Sequence, residues 1–265
     1  MPEHLLARPA FTPGQAEQIA ADHFGIPGKA SPLPGERDQN FRIDGPHDRF
    51  VLKISNRGAD FEFLEFENQA LQLCFAVDRV TTPTIVKSVD RLSIVSLPDG
   101  DSENPGFVRC FSFVDGMPLA KFPNRGVQLH QHIGASLAEI DQALKHLNLD
   151  RRARRNLYWD LARGPEIVAK SMPLMSPEQR RLLDHYLKVH EAIAPRFAEL
   201  DRSVIHNDPN DYNWIIESSP DHSTAAIGLI DFGDLVYSTT VNDLAICCAY
   251  LMLDRDDPVE DAAQV

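Results

Sequence analysis

With 265 residues, the chain is long enough for one large domain or for two lobes. Hydrophobic residues make up 43% and charged residues 25%, which is ordinary for a globular protein. The formal charge of -13 argues against a nucleic-acid or anionic-membrane partner; it is compatible with a cationic substrate, although an acidic balance more often just serves solubility. No run of ~18 apolar residues is present, so no membrane span is expected. The opening "MPEHLLARPAF" lacks a basic start followed by an apolar core and does not read as a secretory signal. Cys74, Cys110, Cys247 and Cys248 show no pair of metal-ligand spacings; scattered thiols point to a reduced, cytoplasmic setting.

In chain order, residues 11–24 are amphipathic, with Pro13 where a first helical turn tolerates it. "SPLPGERDQNFRI" and "RFVLKIS" read as strand, tight connection, strand, with Lys53 among β-formers. "DFEFLEFENQALQLCFA" has helical spacing, with Phe63, Phe66, Ala70, Leu71 and Leu73-Cys74 on one face. "TPTIVKS", "LSIVSLP" and "FVRCFSFV" are short strand candidates. After Asp115-Gly116 the texture turns helical, which divides the chain into residues 1–115 and 116–265.

The second region opens on a strong helix in which Leu129, Ile133, Leu137, Ile140 and Leu144 are in phase. "RRARRNLYWDLARGPEIVAKSM" reads as partly helical, with its arginine cluster on a solvated face and Trp159 packed between helices. Ser176, with Glu178 shortly after, signals another helix start. "VIH" and "WIIE" are short strands, "AIGLIDFGD" is a strand that ends abruptly, and "TTVNDLAICCAYLML" is a last apolar helix, with Asp243 read as its cap.

The chemistry is carried by "VIHNDPNDYNWII", in which His206, Asp208 and Asn213 fit H-x-D-x-x-x-x-N between two apolar runs. A loop held by two strands is a rigid place for reactive side chains. Asp208 can accept a proton from an attacking hydroxyl, whereas His206 reads as a brace for the loop. Asn213, together with Asp231 of "LIDFGD", offers oxygen ligands suited to Mg²⁺. Lys53 can reach nucleotide phosphates, with Glu67 on the next helix orienting it through an ion pair. Asp211 and Asp234 read either as the lining of an ammonium site or as solvated loop charges.

Together, "GERDQNFRI", "FVLKIS", "YWDLARGPEI", "VIHNDPNDYNWII" and "GLIDFGDLVYSTTVNDLAI" resemble the aminoglycoside phosphotransferase and choline kinase family, nearest to its hydroxylysine kinase branch. The likeness runs from about Gln15 to about Leu253. It implies an α+β, protein-kinase-like fold with a β-rich N-terminal lobe and a mostly helical C-terminal lobe. It also implies transfer of a phosphoryl group from ATP or GTP, with Mg²⁺, to a small amino alcohol or hydroxylated amino acid.

By that resemblance Asp208 is the catalytic aspartate assisted by Asn213, and Asn213 and Asp231 hold the metal. Lys53 and Glu67 serve the phosphates, and Gly35, Asp38, Gln39 and Asn40 supply the loop over the nucleotide. Backbone groups near Phe111 and Phe113 meet the purine at the hinge. Two departures stand out. Asn207 occupies a position where the family commonly has glycine, and Pro209 follows the aspartate. Relatives usually continue through further C-terminal helices that wall the acceptor site, so the chain reads as shortened, or as part of a fusion such as one with an aminotransferase domain. A nucleotide-binding module of weak activity and an aminoglycoside phosphotransferase stay open as alternatives.

Overall fold

The computed structural model of the chain describes residues 8–97, 106–123, 125–147, 155–217 and 226–265. They form two compact units, Met1–Asp115 and Gly116–Val265.

The first unit begins with α1 (Pro13–Phe24), whose start is a reciprocal cap between Thr12 and Gln15 and whose end is Gly25 in the left-handed conformation, φ 67°. Such a cap contributes about 1 kcal/mol. The strands β1 (Lys29–Leu33), β2 (Gln39–Asp44) and β3 (Arg49–Ile54) follow, then α2 (Phe61–Cys74). After these come β4 (Ile85–Val86), β5 (Val95–Leu97) and β6 (Gly106–Ser112). They make one antiparallel sheet in the order β1-β2-β3-β6-β4, with β5 also on the outer edge of β6.

Strand alternation sorts the two faces of this sheet. Phe41, Ile43, Leu52, Ile54, Val108 and Cys110 form a core with Ala16, Ala20 and Phe24 of α1. The register puts Asn40, Lys53 and Arg109 in one cross-strand row, so these three share the opposite face. "KASPL" forms β1, a strand that its proline and its short length hide from a propensity reading.

The second unit holds β7 (Met117–Pro118), α3 (Val127–Leu144), α4 (Gly164–Ser171) and α5 (Pro177–Phe197). It continues with β8 (Arg202–Ile205), β9 (Trp214–Glu217), β10 (Ala226–Leu229), β11 (Val236–Thr239), α6 (Val241–Leu251) and α7 (Pro258–Ala263). The five in-phase residues of α3 are all buried. In the cap of α5 the side chain that returns to Ser176 is Gln179 rather than Glu178. The strands that bracket the "NDPND" loop do not pair with each other. β8 pairs with β11, whereas β9 lies between β10 and β7. Gly116, at φ 132°, is required there, because a Cβ would come 2.6 Å from the Ile216 carbonyl oxygen of β9. Trp159 is half exposed, stacked edge-on with Tyr158 at 5.1 Å, and not packed between helices as the sequence suggested. Among the described residues no helix is long and apolar enough to cross a membrane.

Candidate active site

Residues 206–213 leave β8 as a loop whose backbone is held by one buried carboxylate. Asp243, on the first turn of α6, accepts the backbone N–H of His206 at 2.8 Å and of Asn207 at 2.6 Å. The sequence suggested a helix cap for Asp243; its acceptors are used on the loop instead. Asn207 takes φ 66°. That left-handed geometry costs other non-glycine residues about 1–2 kcal/mol, and asparagine tolerates it better than most.

His206 is engaged at both ring nitrogens. Its Nδ1 accepts the Asp208 N–H at 3.2 Å, which leaves Nε2 to donate to the Ile230 carbonyl at 3.1 Å. Its ring also lies edge-on to Phe232 at 4.7 Å. A histidine bonded in this way braces the loop and is not placed to act as a base.

Asp208 is oriented by two amides. Asn210 Nδ2 donates to its Oδ1 at 2.8 Å, and Asn213 Nδ2 donates to its Oδ2 at 2.9 Å and to its backbone carbonyl at 2.8 Å. Burial pushes the Asp208 carboxyl up to about 6. The Asn210 amide acts against that rise, and the charges of Asp234 and Asp231 add to it. Each Asp208 oxygen keeps a second lone pair, so the carboxylate can still accept a proton.

The same bonds settle the amide of Asn213. Its nitrogen faces two acceptors, so its Oδ1 must face the other way. Among the described residues no hydrogen bond takes up that oxygen. Ile230 donates its N–H to the Asn213 carbonyl at 3.0 Å, which brings Asp231 beside Asn213. Asp231 sits at φ 62°, ψ 73°, at the start of a 3₁₀ turn that includes Phe232, Gly233 and Asp234. An aspartate held in that region at the end of a strand is the kind of local strain that clusters at functional sites.

Arg155 ties this turn down, donating to the carbonyls of Gly233 at 2.8 Å and Leu235 at 3.1 Å and lying 3.7 Å from Asp234. Arg155 therefore leaves the solvated face the sequence suggested for it, and Asp234 carries a cationic partner. Arg151, Arg152 and Arg154 lie outside the described residues. Asp211 is buried, and its backbone carbonyl accepts from Ala120 at 2.7 Å.

In the first unit the ion pairs are arranged differently from expectation. Glu67 is paired with Arg109 at 2.6 Å, with side chains only 5% and 2% exposed, and not with Lys53. Arg109 comes from the strand next to Lys53 and also reaches the Leu64 carbonyl and the Asn68 side chain at 3.4 Å. Its guanidinium lies 5.3 Å from the Phe111 ring centroid. Lys53 lies 3.6 Å from Asp38, whose other oxygen accepts both the backbone and side-chain N–H of Asn56 at 3.0 Å. Arg109 was missed because its partners are 41 and 45 residues away in sequence, and an arginine in "FVRCFSFV" reads locally as the polar face of a strand.

The loop residues divide by what they touch. Asn40 donates to the Pro34 carbonyl at 2.9 Å, and a Cβ on Gly35 would meet Asn40 Nδ2 and the Asp38 carbonyl, both at 2.7 Å. Gly35 thus closes the turn tightly. Gln39 departs from its expected role, since its side chain bonds the Phe11 backbone N–H and carbonyl, both at 2.8 Å. Phe111 is buried between β3 and β4. The Phe113 N–H donates to the Arg49 carbonyl at 3.0 Å, so that donor is not open to a purine edge as expected.

A β-sheet unit carrying a strand lysine, followed by a largely helical unit carrying Asp208, Asn213 and Asp231, defines the class: a phosphotransferase of protein-kinase-like fold. The chain belongs to the phosphotransferase enzyme family, whose model matches residues 29–264. It is similar to hydroxylysine kinase of Mus musculus, 28% identical over 275 residues that cover 96% of this chain and 73% of that protein. Among solved structures it is similar to a microcompartment-associated aminopropanol kinase, with TM-score 0.72, 17% identity and coverage of 95% of this chain and 79% of the other. It is also similar to an amicoumacin kinase solved with AMP-PNP and Ca²⁺, with TM-score 0.71, 15% identity and coverage of 96% and 75%.

Proposed function

We propose that the protein is a small-molecule kinase that moves the γ-phosphoryl group of ATP or GTP to a hydroxyl of an amino alcohol or hydroxylated amino acid, with a hydroxylysine-like acceptor first in line. The observation that carries this reading is the carboxylate of Asp208, fixed by the amides of Asn210 and Asn213, with an open Asn213 oxygen turned from it and Asp231 next along. The acceptor class is supported by the hydroxylysine kinase relative, and the acidic balance of the chain suits a cationic substrate.

The donor set fits a hard cation. Asn213 and Asp231 offer an amide oxygen and a carboxylate, the ligand types Mg²⁺ prefers. Among the described residues no group of three or more His, Cys, Asp or Glu is arranged to hold a metal. Two protein ligands leave room for phosphate and water oxygens, as Mg²⁺ binding to nucleotides usually requires. When bound, the ion would neutralise charge on the transferring phosphoryl group.

Asp208 orients the acceptor hydroxyl and takes its proton as the oxygen bonds to the γ-phosphorus. The bond from phosphorus to the bridging oxygen breaks, and the nucleoside diphosphate leaves. Lys53, steadied by Asp38, grips the phosphates. Because transfer of this kind is mostly positioning and charge stabilisation, the rigid bonding of the loop is the main contribution of the chain.

The test is nucleotide release with ATP and with GTP against a panel of hydroxylated amines and aminoglycosides. Acceptor-dependent ADP or GDP release with a hydroxylated amino acid supports the reading. Release with aminoglycosides alone moves the acceptor class. Mg²⁺-nucleotide binding with no release on any acceptor replaces the kinase with a binding module.

A further inference from the structure

The buried carboxylate that holds the loop has a second carboxyl against it. Asp141, near the C-terminal end of α3, faces Asp243 where α3 packs on α6, within reach of a side-chain hydrogen bond. Asp243 is fully buried and Asp141 is 8% exposed. Two ionised carboxylates have no proton between them and cannot form such a bond, so one must be an acid. The bonding decides which one. Asp243 already accepts two backbone N–H groups, which favours its charged form. Asp141 Oδ1 is buried with no hydrogen-bond partner among the described residues, an arrangement tolerable for the carbonyl oxygen of a neutral acid and costly for a charged one.

We propose that Asp141 is a positioning residue: a neutral carboxylic acid that donates its proton to Asp243 and thereby fixes the backbone of His206 and Asn207 that presents Asp208. This rests on the reading of Asp208 as the group that takes the acceptor's proton. Asp243 would otherwise have to hold its charge on two amide donors alone in a dry environment. The O–H of Asp141 supplies a third donor and keeps the carboxylate aimed at the loop.

The surroundings agree. Burial, followed by the charge of Asp243 and the bond to it, pushes the Asp141 carboxyl up to about 9, and burial likewise raises Asp243. The groups facing the pair are Lys145 from α3, which favours the ionised form of Asp141, and His206 from the loop. Cys247 of α6, a thiol held neutral by burial, also faces them. β8, which packs on α3, contributes the uncharged Ser203, Val204 and Ile205 next to the loop. α7 brings Asp261 to His130, near the opposite end of α3.

In the unfolded chain both carboxyls titrate near 4. The folded protein therefore holds about one extra proton from that range up to about 9. The stabilisation is complete below the unfolded value and is lost as pH rises through the folded one.

The experiment compares wild type with Asp141→Asn, whose amide N–H replaces the acid O–H, and with Asp141→Leu, which removes the donor. In denaturant titrations the unfolding equilibrium constant of wild type should gain about tenfold per pH unit between about 5 and 8, over and above that of Asp141→Asn. Infrared spectra at neutral pH should show a protonated-carboxyl stretch in wild type that Asp141→Asn lacks. In nucleotide release, Asp141→Asn should keep kcat within about threefold, whereas Asp141→Leu should lose about 10²-fold in kcat with little change in KM.

Equal pH slopes in wild type and Asp141→Asn, an acid band that survives in Asp141→Asn, or a folded Asp141→Asn as impaired as Asp141→Leu would each overturn the assignment. Should Asp141→Leu fail to fold, the comparison of wild type with Asp141→Asn still decides. If wild type turns over no acceptor, the kinase reading fails, while the pH slope and the infrared band still judge the shared proton.

Discussion

Replacing Arg109 with methionine tests the unexpected pairing in the first unit. Arg109 Nη2 lies 2.6 Å from Glu67 Oε2, and both side chains are almost fully buried. Methionine keeps the aliphatic bulk and leaves Glu67 without a cation in a dry site. Breaking a buried pair in this way costs about 3–5 kcal/mol. The contacts to Leu64 and Asn68 at 3.4 Å are long and add little. A typical domain has about 5–15 kcal/mol in total, so Arg109→Met should still show an unfolding transition at low urea.

Glu67→Met should cost about the same, because it strands the arginine instead. The double variant Arg109→Met/Glu67→Met should recover most of the loss, since an apolar pair of similar size replaces an ion pair at little or no net cost of about 1 kcal/mol. The cycle should therefore give a coupling energy of about 3 kcal/mol or more from urea midpoints. Lys53→Met is the control. Its contact with Asp38 is longer, at 3.6 Å, and less buried than the Arg109–Glu67 pair, so its removal should cost less stability than the loss of Arg109 while nucleotide release collapses. If Lys53→Met destabilised the protein as much as Arg109→Met, and Lys53 rather than Arg109 coupled to Glu67, the assignment of the pair would be wrong.

Asp208→Asn should lower kcat by about 10²–10⁴-fold with the fold intact, as expected for loss of a general base, read by nucleotide release alongside circular dichroism. The Asp208 carboxyl must be ionised to take a proton, and burial holds it up at about 6. Activity should therefore rise with pH through about 6 in kcat/KM profiles, and Asp234→Asn should shift that rise to lower pH by removing a nearby negative charge. Asn207→Ala should lower stability by about 1–2 kcal/mol relative to Asn207→Gly, because alanine meets the left-handed backbone with a Cβ and glycine does not; thermal unfolding of the two variants measures it.

Much of the second unit was legible where the signal is local. The spacing of Leu129, Ile133, Leu137, Ile140 and Leu144 placed α3, and all five proved buried. Asn207, at a position where the family commonly has glycine, takes φ 66°. Polar residues crowded between two apolar runs marked residues 206–213 as a loop held by strands, and that loop does bring Asp208, Asn210 and Asn213 into one hydrogen-bonded set. Asn210 was overlooked because nothing in H-x-D-x-x-x-x-N distinguishes its position.

What stayed hidden depends on contacts far apart in the chain. Asp243 reaches residues 36 and 37 positions away, and Arg155 reaches 78 and 80 positions away. A local pattern records neither. Trp159 shows the converse error: a large aromatic reads as core in sequence, yet about half of its surface is exposed here. The pairing of Glu67 was misjudged because two cations, Lys53 and Arg109, face the same side of the sheet on adjacent strands, and sequence spacing cannot rank them.

The most direct test of the account is steady-state release of ADP or GDP by wild type and Asp208→Asn in the presence of Mg²⁺ and hydroxylysine. The account predicts acceptor-dependent release by wild type, with phosphate transferred to the acceptor hydroxyl, and a loss of at least about 10²-fold in the variant. Undiminished transfer by a folded Asp208→Asn protein would contradict it.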